Sequence, residues 1–548
     1  MLGLMQNFPL TVSMILRRMH SQYPNKTVTT LRRDIYHQAT YAQTVARANR
    51  LAGAIKLAGF RQGDCVSTLM WNSQEHLEAY LAVPAMGGIL HTINARLSEA
   101  AIQVMLGETL PRLILVDETL APVLRKTTLP ASVQAVVVAG LHKDAQQLDP
   151  AVEGIPWLDY ETFMASGGPE FNWPELDENE ACGICYTSGT TGKMKGVVYS
   201  HRSTVLHAMS MLFADGIALS EHDTCMTVVP MYHAHGWGFP YASCLAGAGQ
   251  AFSVRQSDPK TLAALIEYAG VTLATAVPTV WINLLEKLRS GEIKPDTLAS
   301  LKSLPVGGAA VSADLLNGLL EYGIKVRHCW GMTETSPLGL VSTRRSWLND
   351  TQWAEMSMRQ GLPQIGCEVR VITDKGTLAP EDGKSTGELQ IRGPWIADAY
   401  FDPDSESRRG GENCFDVDSQ GRRWLKTGDI ANISPDGYVK IVDRSKDLIK
   451  SGGEWISSLD LESAMAEHPA VHEVAVIGIP DPVWQERPLA FVSLVDNWDQ
   501  PQPDFAAFLE ARFPRWQIPE RFVILKELPK GATGKLNKAR LRQITNSA

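Results

Sequence analysis

A chain of 548 residues exceeds a single small domain, so two or more folding units are expected. Hydrophobic residues make up 44% and charged residues 20%, the balance of a packed globular protein rather than a disordered one. The net charge of −9 and the lack of a long basic run argue against a nucleic-acid binder.

No run of about eighteen apolar residues occurs, which excludes a transmembrane helix. The segment from Met1 to Leu16 is apolar, but its charges, Arg17 and Arg18, follow the hydrophobic stretch, the reverse of a signal peptide. Eight cysteines scattered through so long a chain read as reduced thiols and point to a cytoplasmic location.

Apolar spacing predicts an amphipathic helix from about Tyr41 to Phe60, ending near Gly59. Strand-like segments follow at Cys65–Trp71, Leu113–Val116, Val133–Val138, Met226–Pro230 and Val271–Ala276, with helical patterns at Thr261–Tyr268 and Ala313–Tyr322. Such alternation implies α/β layers around largely parallel sheets. Beyond about Gly361 short strands (Val369–Ile372, Glu388–Ile391) are separated by Asp-Lys-Gly and Glu-Asp-Gly turns, which suggests a β-rich subdomain. A last stretch holds a β-α-β-like unit, Leu459–Glu467 and Val471–Ile479, and a basic tail.

The densest chemistry lies between Tyr186 and Gly196, where Tyr-Thr-Ser-Gly-Thr-Thr-Gly-Lys-Met-Lys-Gly separates two strand candidates, Ala181–Cys185 and Val197–Tyr199. Glycines let backbone N–H groups turn toward an anion, hydroxyls add donors and lysines add charge. It is not a Walker A loop, because Gly192-Lys193 follows Gly189 too closely and Met194 stands where Ser or Thr is needed. Cys182 and Cys185, a lone C-x-x-C in the first strand, are expected to be buried packing residues rather than a redox pair.

Further clusters are Gly307-Gly308-Ala309-Ala310, where a flat ring can approach the backbone, and Trp330-Gly331-Met332-Thr333-Glu334, an aromatic face beside a carboxylate. Thr427-Gly428-Asp429 and Asp443-Arg444 offer partners for ribose hydroxyls, or an ordinary salt bridge. Pro529-Lys530-Gly531-Ala532-Thr533-Gly534-Lys535 sets a lysine on a glycine-flanked loop suited to a mobile cation. His233-Ala-His235 has metal-like spacing, but nothing nearby completes a zinc site.

Taken in order, these segments resemble the adenylate-forming superfamily of acyl-CoA synthetases, luciferase and peptide-synthetase adenylation domains. The similarity covers nearly the whole chain and is greatest to bacterial medium- and long-chain fatty acyl-CoA synthetases. It rests there on Val229-Pro-Met-Tyr-His-Ala-His-Gly-Trp237, Trp330–Glu334 and Lys450-Ser-Gly-Gly-Glu-Trp455.

The resemblance implies an α/β fold: a large N-terminal adenylation domain over 1–442 with its β-rich subdomain over about 361–442, a hinge at 443–446, and a small mobile C-terminal α+β domain over 447–548. Thr187, Ser188, Gly189, Thr190, Thr191, Gly192 and Lys195 would wrap the ATP phosphates. Trp330 would stack on adenine, with Gly308, Ala309, Gly331, Met332 and Thr333 around it, and Asp429 and Arg444 would hold the ribose. Glu334 and Thr187 would position Mg2+, and Lys535 would bridge the substrate carboxylate and the α-phosphate. Lys446 would be the hinge, and Lys450 would face the adenylate after rotation. Where relatives carry proline, this chain has Met194, which removes stiffness but no chemical group.

By the same resemblance His233 sits near the reacting carboxylate, and Trp237, Phe239 and Tyr241 suggest an apolar acyl channel, joined by Val277-Pro278, Gly307, Met332 and Pro337. The expected reaction is ATP- and Mg2+-dependent adenylation of a short- to medium-chain carboxylic acid and transfer of the acyl group to coenzyme A. Alternatives are loading of an acyl carrier protein, a sulfur-containing acid such as methylmercaptopropionate, and a nucleotide-binding relative that has lost catalysis. A homodimer is also admitted.

Overall fold

The structure, a computed structural model, describes residues 1, 3–140, 151–152, 154–187, 194–255, 257–451, 454–495, 498, 501, 503–531 and 536–546. Among them no helix is long and apolar enough to cross a membrane.

Two large sheets carry most of the chain. In the nine-stranded sheet, Lys325–Gly331, Ser303–Val306, Leu273–Thr275, Thr224–Thr227, Gly249–Ser253 and Thr27–Arg32 run parallel in that spatial order, with antiparallel strands at both edges. The ten-stranded sheet has a parallel centre that includes Ala181–Tyr186, Ile89–Thr92, Cys65–Leu69, Leu113–Asp117 and Ala135–Ala139.

Leu113–Asp117 shows how the layers are built. Leu113 and Leu115 face a large cluster that also takes in both sheets and the helices Val12–Gln22, Tyr41–Leu57, Gln74–Ala85 and Phe239–Ala246. The alternate residues, Ile114 and Val116, face a separate cluster with Ile102, Met105 and Leu106. A strand buried on both faces needs no polar positions, so it reads as a continuous apolar run. The helices Pro259–Ala269, Pro278–Arg289 and Ala313–Glu321 contribute to a third cluster with Met226, Ala274, Leu304 and Val306.

The expected helix at Tyr41 is present as Tyr41–Leu57. Thr40 caps it with a reciprocal Gln43 contact, and Gly59 follows at φ +84°. The strand expectations are met within a few residues, and the segments flanking the glycine-rich loop are antiparallel neighbours, Ala181–Tyr186 and Gly196–Ser200.

A five-stranded sheet spans Glu368 to Arg444. Here the observed strand Val439–Arg444 includes Asp443 and Arg444, so the expected hinge at 443–446 starts inside a paired strand, with Asp429 opposite Arg444. The final sheet combines the hairpin Ile449–Ser451 and Glu454–Ile456 with the long antiparallel pair Val471–Asp481 and Gln485–Leu494 and the parallel strand Arg521–Ile524. The expected β-α-β-like unit is present within it, as the strand Glu454–Ile456, the helix Ser458–Met465 and the strand Val471–Asp481, and the remaining strands extend its sheet.

Candidate functional site

Nearly every singled-out residue in the two large sheets lies just beyond the carboxyl end of a parallel strand. Thr187 follows Ala181–Tyr186, His233 and Trp237 follow Thr224–Thr227, Gly307–Ala309 follow Ser303–Val306, and Met332–Glu334 follow Lys325–Gly331. Strand ends in an open α/β sheet leave a crevice where ligands bind.

The glycine-rich loop is closed at its base. Thr187 N donates to Lys195 O at 2.9 Å, and Lys195 N donates to Thr187 Oγ1 at 3.4 Å. Ser188, Gly189, Thr190, Thr191 and Gly192 lie outside the described residues, as does Lys535. Met194 is half-buried and packs against the cluster that holds Leu69 and Ile93, so its side chain anchors one end of the loop by apolar contact.

Lys195 Nζ lies 4.6 Å from the centre of the Tyr400 ring and 3.3 Å from Cys414 Sγ. Tyr400 in turn donates its hydroxyl to Glu334 Oε1 at 2.6 Å. Burial, reinforced by the Glu334 charge, pushes the Tyr400 phenol far above its usual range, so it stays a donor. Glu334 is 6% exposed, and among the described residues no cation forms an ion pair with it. A buried carboxylate without a counter-ion is costly, and its hard oxygen suits a divalent cation such as Mg2+.

Gly331 and Pro337 meet closely. A Cβ at Gly331 would lie 1.7 Å from Pro337 O, which also accepts from Met332 N at 3.1 Å, so this position requires glycine. Gly307 is confined likewise, with Cys329 O 2.7 Å from an added Cβ, and Gly308 takes φ +85°. Thr333 O accepts the Tyr199 hydroxyl at 2.7 Å, and Ala309 is exposed.

Asp429, 2% exposed, accepts from Trp330 Nε1 at 2.8 Å and from Arg444 Nε at 2.6 Å. Trp330 is 9% exposed and lies in a core cluster with Leu340 and Ile391, so its indole holds Asp429 as well as packing. Phe239 and Tyr241, expected in an acyl channel, are core residues instead: both are 2% exposed, and the Tyr241 hydroxyl donates to Tyr80 O at 2.9 Å. His233 and Trp237 are half-buried. Between them the backbone is left-handed at Ala234, His235, Gly236, Trp237 and Gly238, with φ from +37° to +76°. For the three non-glycine residues that costs roughly 1–2 kcal/mol each, strain of the kind that gathers at binding sites.

Lys446 and Lys450 are exposed and stand apart from these groups, Lys450 with its Nζ 5.4 Å from the Trp455 ring. Cys182 and Cys185 are buried, and alternation along the strand places them on opposite faces. Burial pushes their thiols up to about 12 and about 11, which leaves them unreactive. Tyr400 and Cys414 were missed because each sits in a segment without a motif and meets the site only through the fold, and Tyr199 reads in the sequence only as part of a strand flanking the loop.

Two family models divide the chain, AMP-binding enzyme over residues 16–401 and AMP-binding enzyme C-terminal domain over 460–535. The chain belongs to the AMP-binding enzyme family. It is 40% identical over 514 residues to the long-chain-fatty-acid–CoA ligase of Thermus thermophilus, covering 92% of this chain and 90% of that one. It is 37% identical over 552 residues to the 3-methylmercaptopropionyl-CoA ligase of Ruegeria pomeroyi, covering 99% and 98%. The crystal structure of an anthranilate CoA ligase in complex with anthranoyl-AMP superposes with a TM-score of 0.83 at 25% identity, over 99% of each chain. The expected superfamily, fold class and AMP-forming acid–CoA ligase activity are thereby borne out.

Tyr400→Phe removes the hydrogen bond to the buried Glu334 carboxylate. The expected result is a fall in kcat/KM for ATP of about tenfold or more, the worth of one hydrogen bond to a charged group, with a higher Mg2+ requirement. Steady-state kinetics across a Mg2+ series measures it, and an unchanged ATP dependence would contradict the role of this contact.

Proposed function

We propose that this enzyme adenylates a short- to medium-chain aliphatic carboxylate with ATP and passes the acyl group to coenzyme A, releasing AMP and pyrophosphate. The observation that carries the residue assignment is the buried Glu334 carboxylate, bonded to Tyr400 and lacking a described counter-ion, in the turn that follows the strand carrying Trp330. Relatives acting on a long-chain acid and on a sulfur-containing acid bracket the substrate class.

In the first step a carboxylate oxygen attacks the α-phosphorus, the bond to the bridging oxygen breaks, and pyrophosphate leaves with its electron pair. In the second, the CoA thiol gives up its proton and attacks the acyl carbon, and AMP leaves. Repulsion between the incoming carboxylate and the phosphate oxygens dominates the first barrier, so fixed positive charge and donors at that point are the main source of rate.

The assignments follow that need. Thr187 and Lys195, which close the loop, hold the phosphates together with Ser188, Gly189, Thr190, Thr191 and Gly192. Glu334 and Thr187 hold Mg2+, which when bound supplies charge neutralisation on the phosphates. Trp330, Gly308, Ala309, Gly331, Met332 and Thr333 form the adenine side, and Asp429 with Arg444 holds the ribose. Lys535 carries the cation that bridges carboxylate and α-phosphate. His233, Trp237, Gly307, Met332 and Pro337 receive the acid, and no charged side chain among Trp237, Gly307, Met332 and Pro337 calls for a charged acyl tail.

We place the domain boundary at the hinge 443–446, between 1–442 and 447–548. Several contacts cross it: Lys440 Nζ to Asp460 Oδ1 at 3.0 Å, Ser457 Oγ to Val442 O at 2.6 Å, and Ser458 N to Asp443 Oδ2 at 2.6 Å. Rotation about Lys446 would break this clasp, withdraw Lys535 and present Lys450 for the second step. The unpaired state of all eight cysteines suits a reducing cytoplasm, and assembly as a homodimer would show as twice the chain mass in light scattering.

A panel of carboxylates assayed for AMP release with and without CoA tests the reading. CoA-dependent AMP and thioester with aliphatic acids, or with methylmercaptopropionate, are expected. Pyrophosphate exchange without thioester would favour a carrier-protein acceptor, and silence with every acid would contradict catalysis. For the hinge, Lys446→Pro is expected to slow thioester formation from supplied acyl-AMP more than it slows adenylation, whereas equal loss in both half-reactions would overturn the rotation.

A further inference from the structure

The pair His233-Ala-His235 separates in the fold. His233 is half-buried at the mouth of the left-handed turn, whereas His235 is 6% exposed and faces inward. Its Nδ1 lies 3.3 Å from both Thr92 Oγ1 and Cys185 Sγ. Its ring stands edge-on to Tyr80 and tilted against Tyr199, with centroid separations of 5.7 and 5.0 Å. Gly183 makes room for it, since a Cβ there would lie 2.3 Å from His235 Nε2, and that nitrogen has no hydrogen-bond partner among the described residues. Burial holds the imidazole pKa down at about 3, so the ring stays neutral at ordinary pH.

Each neighbour leads to a different part of the site. Gly183 and Cys185 are in the strand that runs into Thr187 at the base of the phosphate loop. Tyr199 is in the strand that leaves the loop, and its hydroxyl reaches Thr333 O beside Glu334. The turn itself has little intrinsic preference for its conformation, so its contacts must hold it. A buried histidine that served packing alone would gain nothing from two polar contacts on one nitrogen and an unpaired second nitrogen.

We propose that His235 is a positioning residue for the acid: it pins the turn carrying His233 and Trp237 against the strand that feeds the phosphate loop, and thereby sets acid affinity and chain-length selectivity. The proposal rests on the acid site assigned under the ligase reading. It makes no claim on the chemical step, because the contacts His235 makes are with Thr92, Cys185, Tyr80 and Tyr199 and not with the residues assigned to the reacting groups.

The test is steady-state kinetics with straight-chain acids from acetate to dodecanoate, at saturating ATP and CoA, and a separate ATP titration. His235→Phe keeps the ring volume and removes both nitrogens. It is expected to raise KM for the preferred acid about tenfold, the loss of roughly one buried hydrogen bond, and to flatten the chain-length preference. KM for ATP should stay within about twofold. His235→Asn, which tolerates a left-handed backbone and retains a hydrogen-bonding group, should recover most of the selectivity. Thr92→Val, nearly isosteric, should shift acid KM the same way by a smaller factor, and it decides the matter if His235→Phe does not fold. Parallel changes in acid and ATP KM, or an unchanged chain-length preference, would overturn the proposal. A wild-type enzyme silent with every acid would instead overturn the ligase reading, and this proposal with it.

Discussion

The Asp429 carboxylate is the joint on which the site depends. It is buried in the strand Arg423–Ile433, yet one oxygen meets Trp330 from the nine-stranded sheet and the other meets Arg444 at the end of the last strand before the C-terminal segment. A buried carboxylate is tolerable only with its donors in place, so the fold cannot close without bringing these three elements together. Arg444 is partly exposed, and solvent screening limits what the ion pair adds to stability. Its value lies in position. Arg444, the residue proposed to hold the ribose, is one step from Asp443, which is bonded to the helix Ser458–Met465.

A second arrangement of the same kind links the phosphate loop to the Glu334 carboxylate through Lys195 and Tyr400. Both bury a carboxylate and hold it in place with protein donors. Catalysis of acyl-adenylate formation asks for little covalent help from the protein and much charge placement, and that placement is the role proposed for these residues. The left-handed turn at Ala234–Gly238 is proposed to have a separable task, to hold the acid in line with the phosphate.

The local segments were largely legible in the sequence, because each carries its own signal. The loop at Thr187–Gly196, the Trp330–Glu334 run and the Asp429 turn are contiguous, and the strand Leu113–Asp117 announces itself by an unbroken apolar run. What the sequence left out is what only the fold brings together. Tyr400 and Cys414 lie in motif-free stretches and matter because of where Lys195 lands. Met194 reads as a loss of stiffness, but its half-buried side chain packs against a core cluster and gives the loop an anchor by other means. Phe239 and Tyr241 had the right chemistry for a channel and the wrong direction, since the helix Phe239–Ala246 turns them into the core. The segment expected as a hinge starts two residues inside a strand because pairing with Asp429 extends that strand to Arg444.

The central claim is that this architecture drives a carboxylate oxygen onto the α-phosphorus of ATP. The most direct measurement is to run the reaction with a carboxylic acid labelled with oxygen-18 in both oxygens and analyse the AMP by mass spectrometry. The adenylate route requires one labelled oxygen in the AMP phosphate, because the acyl–oxygen bond is the one that CoA later breaks. Unlabelled AMP accompanying thioester formation would contradict it.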